Sequence, residues 1–132
     1  MIIYHYSSKD FNGWINPDFF GDNSYSDNSA RLSGIKRSYF YTDKNKPEAS
    51  LKGSKYIYIS NIQEKKLYNI TDDKKGIVKN LRYNQDIYTI IKSKGYSGII
   101  SKAGVNYIIV IFKAIKINKR LTLTASNIYA IL

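Results

Sequence analysis

The chain opens MIIYHYSS (residues 1–8), and the reading of this stretch decides the fold. Four apolar or aromatic residues lead into His5, the sole histidine among 132 residues, and after Tyr6 come two small hydroxyl residues. The loose alternation of IIYHY (2–6) predicts a β-strand with one face for a core, after which Ser7 and Ser8 cap a turn or short helix. A histidine delivered to the end of a first strand is either a structural hydrogen-bonder or a site residue, and the rest of the chain has to separate the two.

Downstream, strand signals dominate. KRSYFYT (36–42) is aromatic-rich and strand-like, and TDKNKPEAS (42–50) is a turn that opens a short helix at Pro47. KYIYISNI (55–62) alternates well enough to bury one face, and the shorter KLYNI (66–70) is expected to pair near it. One long helix is predicted: TDD (71–73) supplies caps, residues 77, 78, 81, 87, 88, 90 and 91 recur at helical spacing, and Lys92, Lys94 and Gly95 close it. YSGIIS (96–101) and NYIIVIFKAIKI (106–117) then read as two strands joined through KAGV, and TLTASNIYAIL (122–132) as a final strand or docked tail. Between Asn12 and Ser33 the chain turns to Asn, Asp, Ser, Gly and Pro with Trp14, Phe19, Phe20 and Tyr25 interspersed, the pattern of a long functional loop pinned by aromatics. The expected class is α+β with mostly antiparallel strands, in a single domain over residues 1–132.

Composition narrows the chemistry. There are no cysteines and one histidine, so disulfides and thiolate metal sites are excluded and a zinc site is not expected. No apolar run reaches the roughly 20 residues of a membrane span, and Met1 leads straight into a strand, so no signal peptide and no membrane partner are expected and the protein is placed in the cytoplasm. The formal charge is +11, but Lys outnumbers Arg 17 to 4 in a chain also rich in Ile, Asn and Tyr, the mix that an AT-rich coding sequence produces. Residues 1–30 hold one Lys against four Asp, net −3, leaving +14 on residues 31–132. Such a surface predicts weak, non-specific nucleic-acid binding, since Lys lacks the bidentate fork of Arg.

Four stretches, in order and spaced over residues 2–112, carry a resemblance: YHYS at the start, INPDFFG with KRSYFYT, PEASLKGSKYIYI, and KGYSGII followed by NYIIVIF. Together they resemble the ADP-ribosyltransferase superfamily, most closely the small transferase-like domains of phage and mobile-element polyvalent proteins. The resemblance implies a split two-sheet fold clamping NAD in a central cleft. It assigns His5 to a cofactor ribose, with Tyr6 and Ser7 beside it in the NAD site. Tyr39 would stack on nicotinamide with Tyr41 as its neighbour, and Arg37 would meet the diphosphate through its guanidinium fork. The family's acid, which steadies the oxocarbenium-like charge as nicotinamide leaves, aligns with Asn106, so an amide stands where a carboxylate is expected. Losing one preorganised electrostatic group costs on the order of 3 kcal/mol, ~100-fold in rate. Residues 94–113 hold no Asp or Glu, which leaves Glu48 and Asp43 as the remaining acids.

Three functions follow. The first is an NAD-dependent ADP-ribosyltransferase acting on a host protein or nucleic acid, with a counter-defence role of the anti-CRISPR type as its extension by analogy. The second is a catalytically degenerate transferase-shaped protein that inhibits a host macromolecular target by binding. The third is a basic nucleic-acid-binding module without a cofactor.

Overall fold

A computed structural model describes residues 1–17, 34–42, 53–102 and 107–123. In chain order the strands are β1 (Ile2–Ser7), β2 (Trp14–Ile15), β3 (Ser38–Tyr41), β4 (Tyr56–Asn61), β5 (Leu67–Asn69), β6 (Gly98–Ser101), β7 (Ile108–Ile111), β8 (Ile115–Lys116) and β9 (Lys119–Thr122), with one helix, α1 (Ile87–Ser93), before β6. Seven strands form one sheet in the order β5-β6-β7-β3-β1-β4-β9, and β2 and β8 form a separate antiparallel ribbon. Every neighbouring pair in the large sheet is antiparallel except β5–β6. The class is α+β, as the strand-rich pattern requires, and the large sheet is mixed.

Period-two alternation explains how the sheet is buried. On one face Ile3, Phe40, Tyr58, Ile100, Ile109 and Ile111 form a core with Ile15 and Ile115 of the ribbon laid over it. The other face carries Ile91 of α1 packed against Tyr68, Ile99 and Val110. Towards β9 that same face holds Ile57 with Tyr4, Tyr6 and Leu121. Burying a branched aliphatic side chain contributes about 1.5–3 kcal/mol, so the run of fully buried isoleucines is the main stabilising element.

Three expectations are corrected. The long helix over 71–95 is replaced by turns followed by the seven-residue α1. The apolar spacing is present, but local side chains take the backbone amides that a helix needs. Asn69 Oδ1 accepts from the amides of Thr71 and Asp72, and the Asp73 carboxylate accepts from those of Val78 (3.1 Å) and Lys79 (2.9 Å). Asp73 itself sits at φ +48° and Gly76 at +66°, both left-handed. Helix α1 starts only where Asp86 offers a true N-cap, accepting from Tyr88 N at 3.1 Å. Second, KLYNI does not pair beside β4. It becomes β5 and joins β6 in parallel at the opposite edge, through a crossover containing α1. Third, the described part of the last long apolar stretch, residues 107–117, divides into β7 and β8, and β9 forms from Lys119–Thr122. The helix expected at Pro47, most of the aromatic loop (Phe19, Phe20, Tyr25), the KAGV turn beyond Lys102 and the tail after Leu123 lie outside the described residues.

Candidate functional site

The joint between β1 and β3 is unlike the rest of the sheet. β1 matches β4 over six paired positions and β3 matches β7 over four. Between β1 and β3 the described residues make a single pair, Tyr4 opposite Tyr41. Tyr6 and Tyr39 would come next in that register, but no ladder pair joins them.

His5 sits at this parting. Its imidazole Nδ1 donates to the carbonyl oxygen of Tyr39 at 2.7 Å, so a side chain ties β3 to β1 where the backbone ladder stops. The acceptor is a carbonyl, which requires the Nδ1–H tautomer. The ring lies in an aromatic box, with centroids 5.2 Å from Phe40, 5.9 Å from Phe11 and 6.4 Å from Tyr58. Burial in apolar surroundings disfavours the imidazolium and lowers the His5 pKa to about 4, against a smaller opposing effect of the Tyr39 carbonyl. The imidazole is therefore neutral at pH 7.

Strand parity sorts the other implied site residues. Because Tyr4 faces Tyr41 across the joint, Tyr6, Tyr39 and Tyr41 project from the face opposite to His5. Tyr6 and Tyr41 approach each other with ring centroids 6.0 Å apart. The side chain that meets His5 is Phe40, not Tyr39; the contact with Tyr39 runs through its backbone oxygen. Ser7 ends β1, where its hydroxyl accepts from the amide of Lys9 at 3.0 Å and closes the turn expected after the first strand.

Arg37 is 5% exposed. Its Nε donates to the Tyr39 hydroxyl at 3.0 Å and its Nη1 to the Ile35 carbonyl at 2.9 Å. The guanidinium carbon lies 3.9 Å from the centroid of Tyr88 in the first turn of α1, a stacking geometry that holds a planar cation. Arg37, Tyr39 and Tyr88 thus form one cluster on the face shared with Tyr41. Tyr88 is a member that sequence reading missed; its position at the start of α1 becomes meaningful only once the long helix is replaced by a short one. Asn106, Glu48 and Asp43 lie outside the described residues.

Among the described residues no three His, Asp or Glu side chains are placed to hold a metal ion, and no helix is long and apolar enough to cross a membrane. Among the described residues, two open cavities lie against the sheet. One, of about 510 Å³, lies under Tyr58 and is bounded by Asp10, Asn12 and Arg120, with Asp10 and Arg120 ion-paired. The other, of about 570 Å³, lies at the β5 edge. No family model, curated protein or solved structure matches this chain.

Proposed function

We propose that the chain is an ADP-ribosyltransferase-like protein of a phage or mobile element that works by binding a host macromolecular target, with catalysis lost. The observation that carries this reading is the fate of two of the groups assigned to NAD, His5 and Arg37. His5 is turned into an aromatic box, neutral, with its Nδ1 proton committed to Tyr39 O, and the tyrosines lie across the sheet from it. Arg37 has its Nε and Nη1 engaged and its plane covered by Tyr88. An amide in place of the acid, at Asn106, points the same way, because a developing oxocarbenium ion then lacks an anionic partner. Inhibition of a host protein or nucleic-acid complex, including a CRISPR effector, is the role such a binder fits.

An NAD-consuming transferase is the second reading, favoured by one observation: His5, Arg37, Tyr39 and Tyr41 lie at the same joint of the sheet, His5 on one face and the other three on the opposite face. One experiment separates the two. Host lysate is incubated with the protein, with and without NAD, and searched for ADP-ribose adducts by mass spectrometry, while the tagged protein is recovered and its bound partners identified. A stoichiometric host complex without NAD-dependent adducts supports the binder. Adducts that require NAD establish the transferase and overturn the first reading.

A further inference from the structure

The cavity of about 570 Å³ at the β5 edge lies apart from the β1–β3 joint and is strongly cationic. Its walls carry Lys65, Lys74, Lys75 and Lys102 against two acids, Glu64 and Asp72. Both acids are engaged locally: Glu64 meets the Lys102 ammonium at 2.6 Å, and Asp72 accepts from the Asn69 amide at 3.2 Å. The Asp73 carboxylate is turned away into the Tyr68 hydroxyl and the backbone of Val78 and Lys79. Among the described residues the lining therefore carries two more positive than negative charges, beside Leu67 and Ile100, whose apolar side chains lower the local dielectric and lengthen the reach of the field.

Two of its lysines are held in place. The Lys75 amide donates to the Tyr68 hydroxyl at 3.3 Å, and its ammonium lies 5.1 Å from the centre of the Tyr96 ring. The Lys102 amide donates to Thr71 Oγ1 at 2.8 Å, and its ammonium sits 5.6 Å from the centre of the Tyr107 ring. Hydrogen bonding to Tyr96 raises the Lys75 pKa, and hydrogen bonding to Glu64 raises that of Lys102, so both stay charged across the neutral range. Lys65 and Lys74, which make no ion pair among the described residues, stand exposed around them.

We infer that this cavity is a binding site for a ligand bearing neighbouring phosphate groups, with Lys75 and Lys102 as its fixed cations and Lys65 and Lys74 closing on the outer oxygens. With Lys102 shared with Glu64, three further ammoniums line the same depression, more than a single monoanion engages, whereas neighbouring phosphates on one ligand offer several anionic oxygens. The same chemistry is presented by a free oligophosphate and by a nucleic-acid backbone.

The test uses the full chain titrated with sodium tripolyphosphate and, separately, with a short oligothymidylate, each at low and moderate salt. Wild type is compared with K65E/K74E and with K113E/K116E, a pair of exposed lysines outside the cavity that changes net charge equally. The expected result is that K65E/K74E weakens binding by ~10-fold or more and flattens its salt dependence, while K113E/K116E has a much smaller effect. Tripolyphosphate alone responding in this way identifies a free oligophosphate as the source; the oligonucleotide responding identifies the backbone. No binding of either probe by wild type, or equal losses in the two variants, overturns the site.

Discussion

Lowering the pH from about 7.5 to about 5 should selectively destabilise the wild-type protein through His5. The unfolded imidazole titrates near 6.5 and the folded one near 4, because the aromatic box of Phe11, Phe40 and Tyr58 excludes the charged form. A folded pKa below the unfolded one means that the unfolded chain takes up the proton first. Stability from this group is therefore complete above about pH 6.5 and falls as the pH drops toward 4, levelling off once the native state is protonated too. The whole gap between 6.5 and about 4 corresponds to roughly 3 kcal/mol, of which about 2 kcal/mol is lost by pH 5. Asp73, whose carboxyl is held below the usual range by the Tyr68 hydroxyl, contributes little in this window because it stays ionised there. The assay is urea unfolding followed by circular dichroism at both pH values, on wild type and on His5→Asn. The asparagine keeps an amide donor for Tyr39 O and removes the titration. It will be less stable than wild type at pH 7.5, having lost the ring. The quantity tested is the pH-dependent loss, which should be about 2 kcal/mol larger in wild type. Equal losses in the two proteins would refute the burial of a neutral imidazole.

Gly98→Ala should cost about 3 kcal/mol or prevent folding, because a Cβ there would lie 2.0 Å from the Val110 carbonyl oxygen of the neighbouring strand, which is backbone and cannot swing aside; thermal unfolding checks this, and an unchanged melting temperature would contradict the β6–β7 register. At residue 73 the melting temperatures should rank Asp above Asn above Ala: asparagine tolerates the positive φ and keeps an acceptor for the Val78 and Lys79 amides, whereas alanine suits neither requirement. Arg37→Lys should lower the melting temperature almost as much as Arg37→Ala, since an ammonium cannot both stack flat on Tyr88 and donate sideways to Tyr39 and Ile35; full rescue by lysine would show that the charge alone matters.

Local alternation made most of the sheet legible. IIYHYS, SYFY and YIYISN each place apolar residues on the core face, and the antiparallel pairing of β6 with β7 is announced by two apolar runs with a glycine between them. The parallel docking of β5 carried no comparable signal, because its partner lies across the whole α1 crossover and nothing near Leu67–Asn69 encodes the distance. The helix was overextended because periodicity registers where apolar residues fall but not which acceptor captures the backbone amides; the Asn69 and Asp73 side chains decide that, and their effect depends on Tyr68 being buried beneath them. For the candidate site, the sequence brought His5, Arg37, Tyr39 and Tyr41 to one joint. Which face each side chain takes was hidden, since it follows from the Tyr4–Tyr41 register, and a slip of one residue would have put Tyr39 beside His5 in place of Phe40.

That register also ties function to stability. The large sheet is two well-laddered halves, β9-β4-β1 and β3-β7-β6-β5, joined among the described residues by one strand pair, by the His5–Tyr39 hydrogen bond and by side-chain packing such as His5 on Phe40 and Tyr6 on Tyr41. A ligand seated between the halves must displace that bond or widen the joint around it, so its binding free energy is offset by the loss of a buried hydrogen bond, about 1–3 kcal/mol. A ligand that takes the Arg37 Nε proton must also displace the Tyr39 hydroxyl. A partner that docks on the outside of the sheet incurs neither cost. The arrangement that ties the sheet together therefore opposes ligand entry at this joint, which supports the proposed binding protein over the proposed transferase.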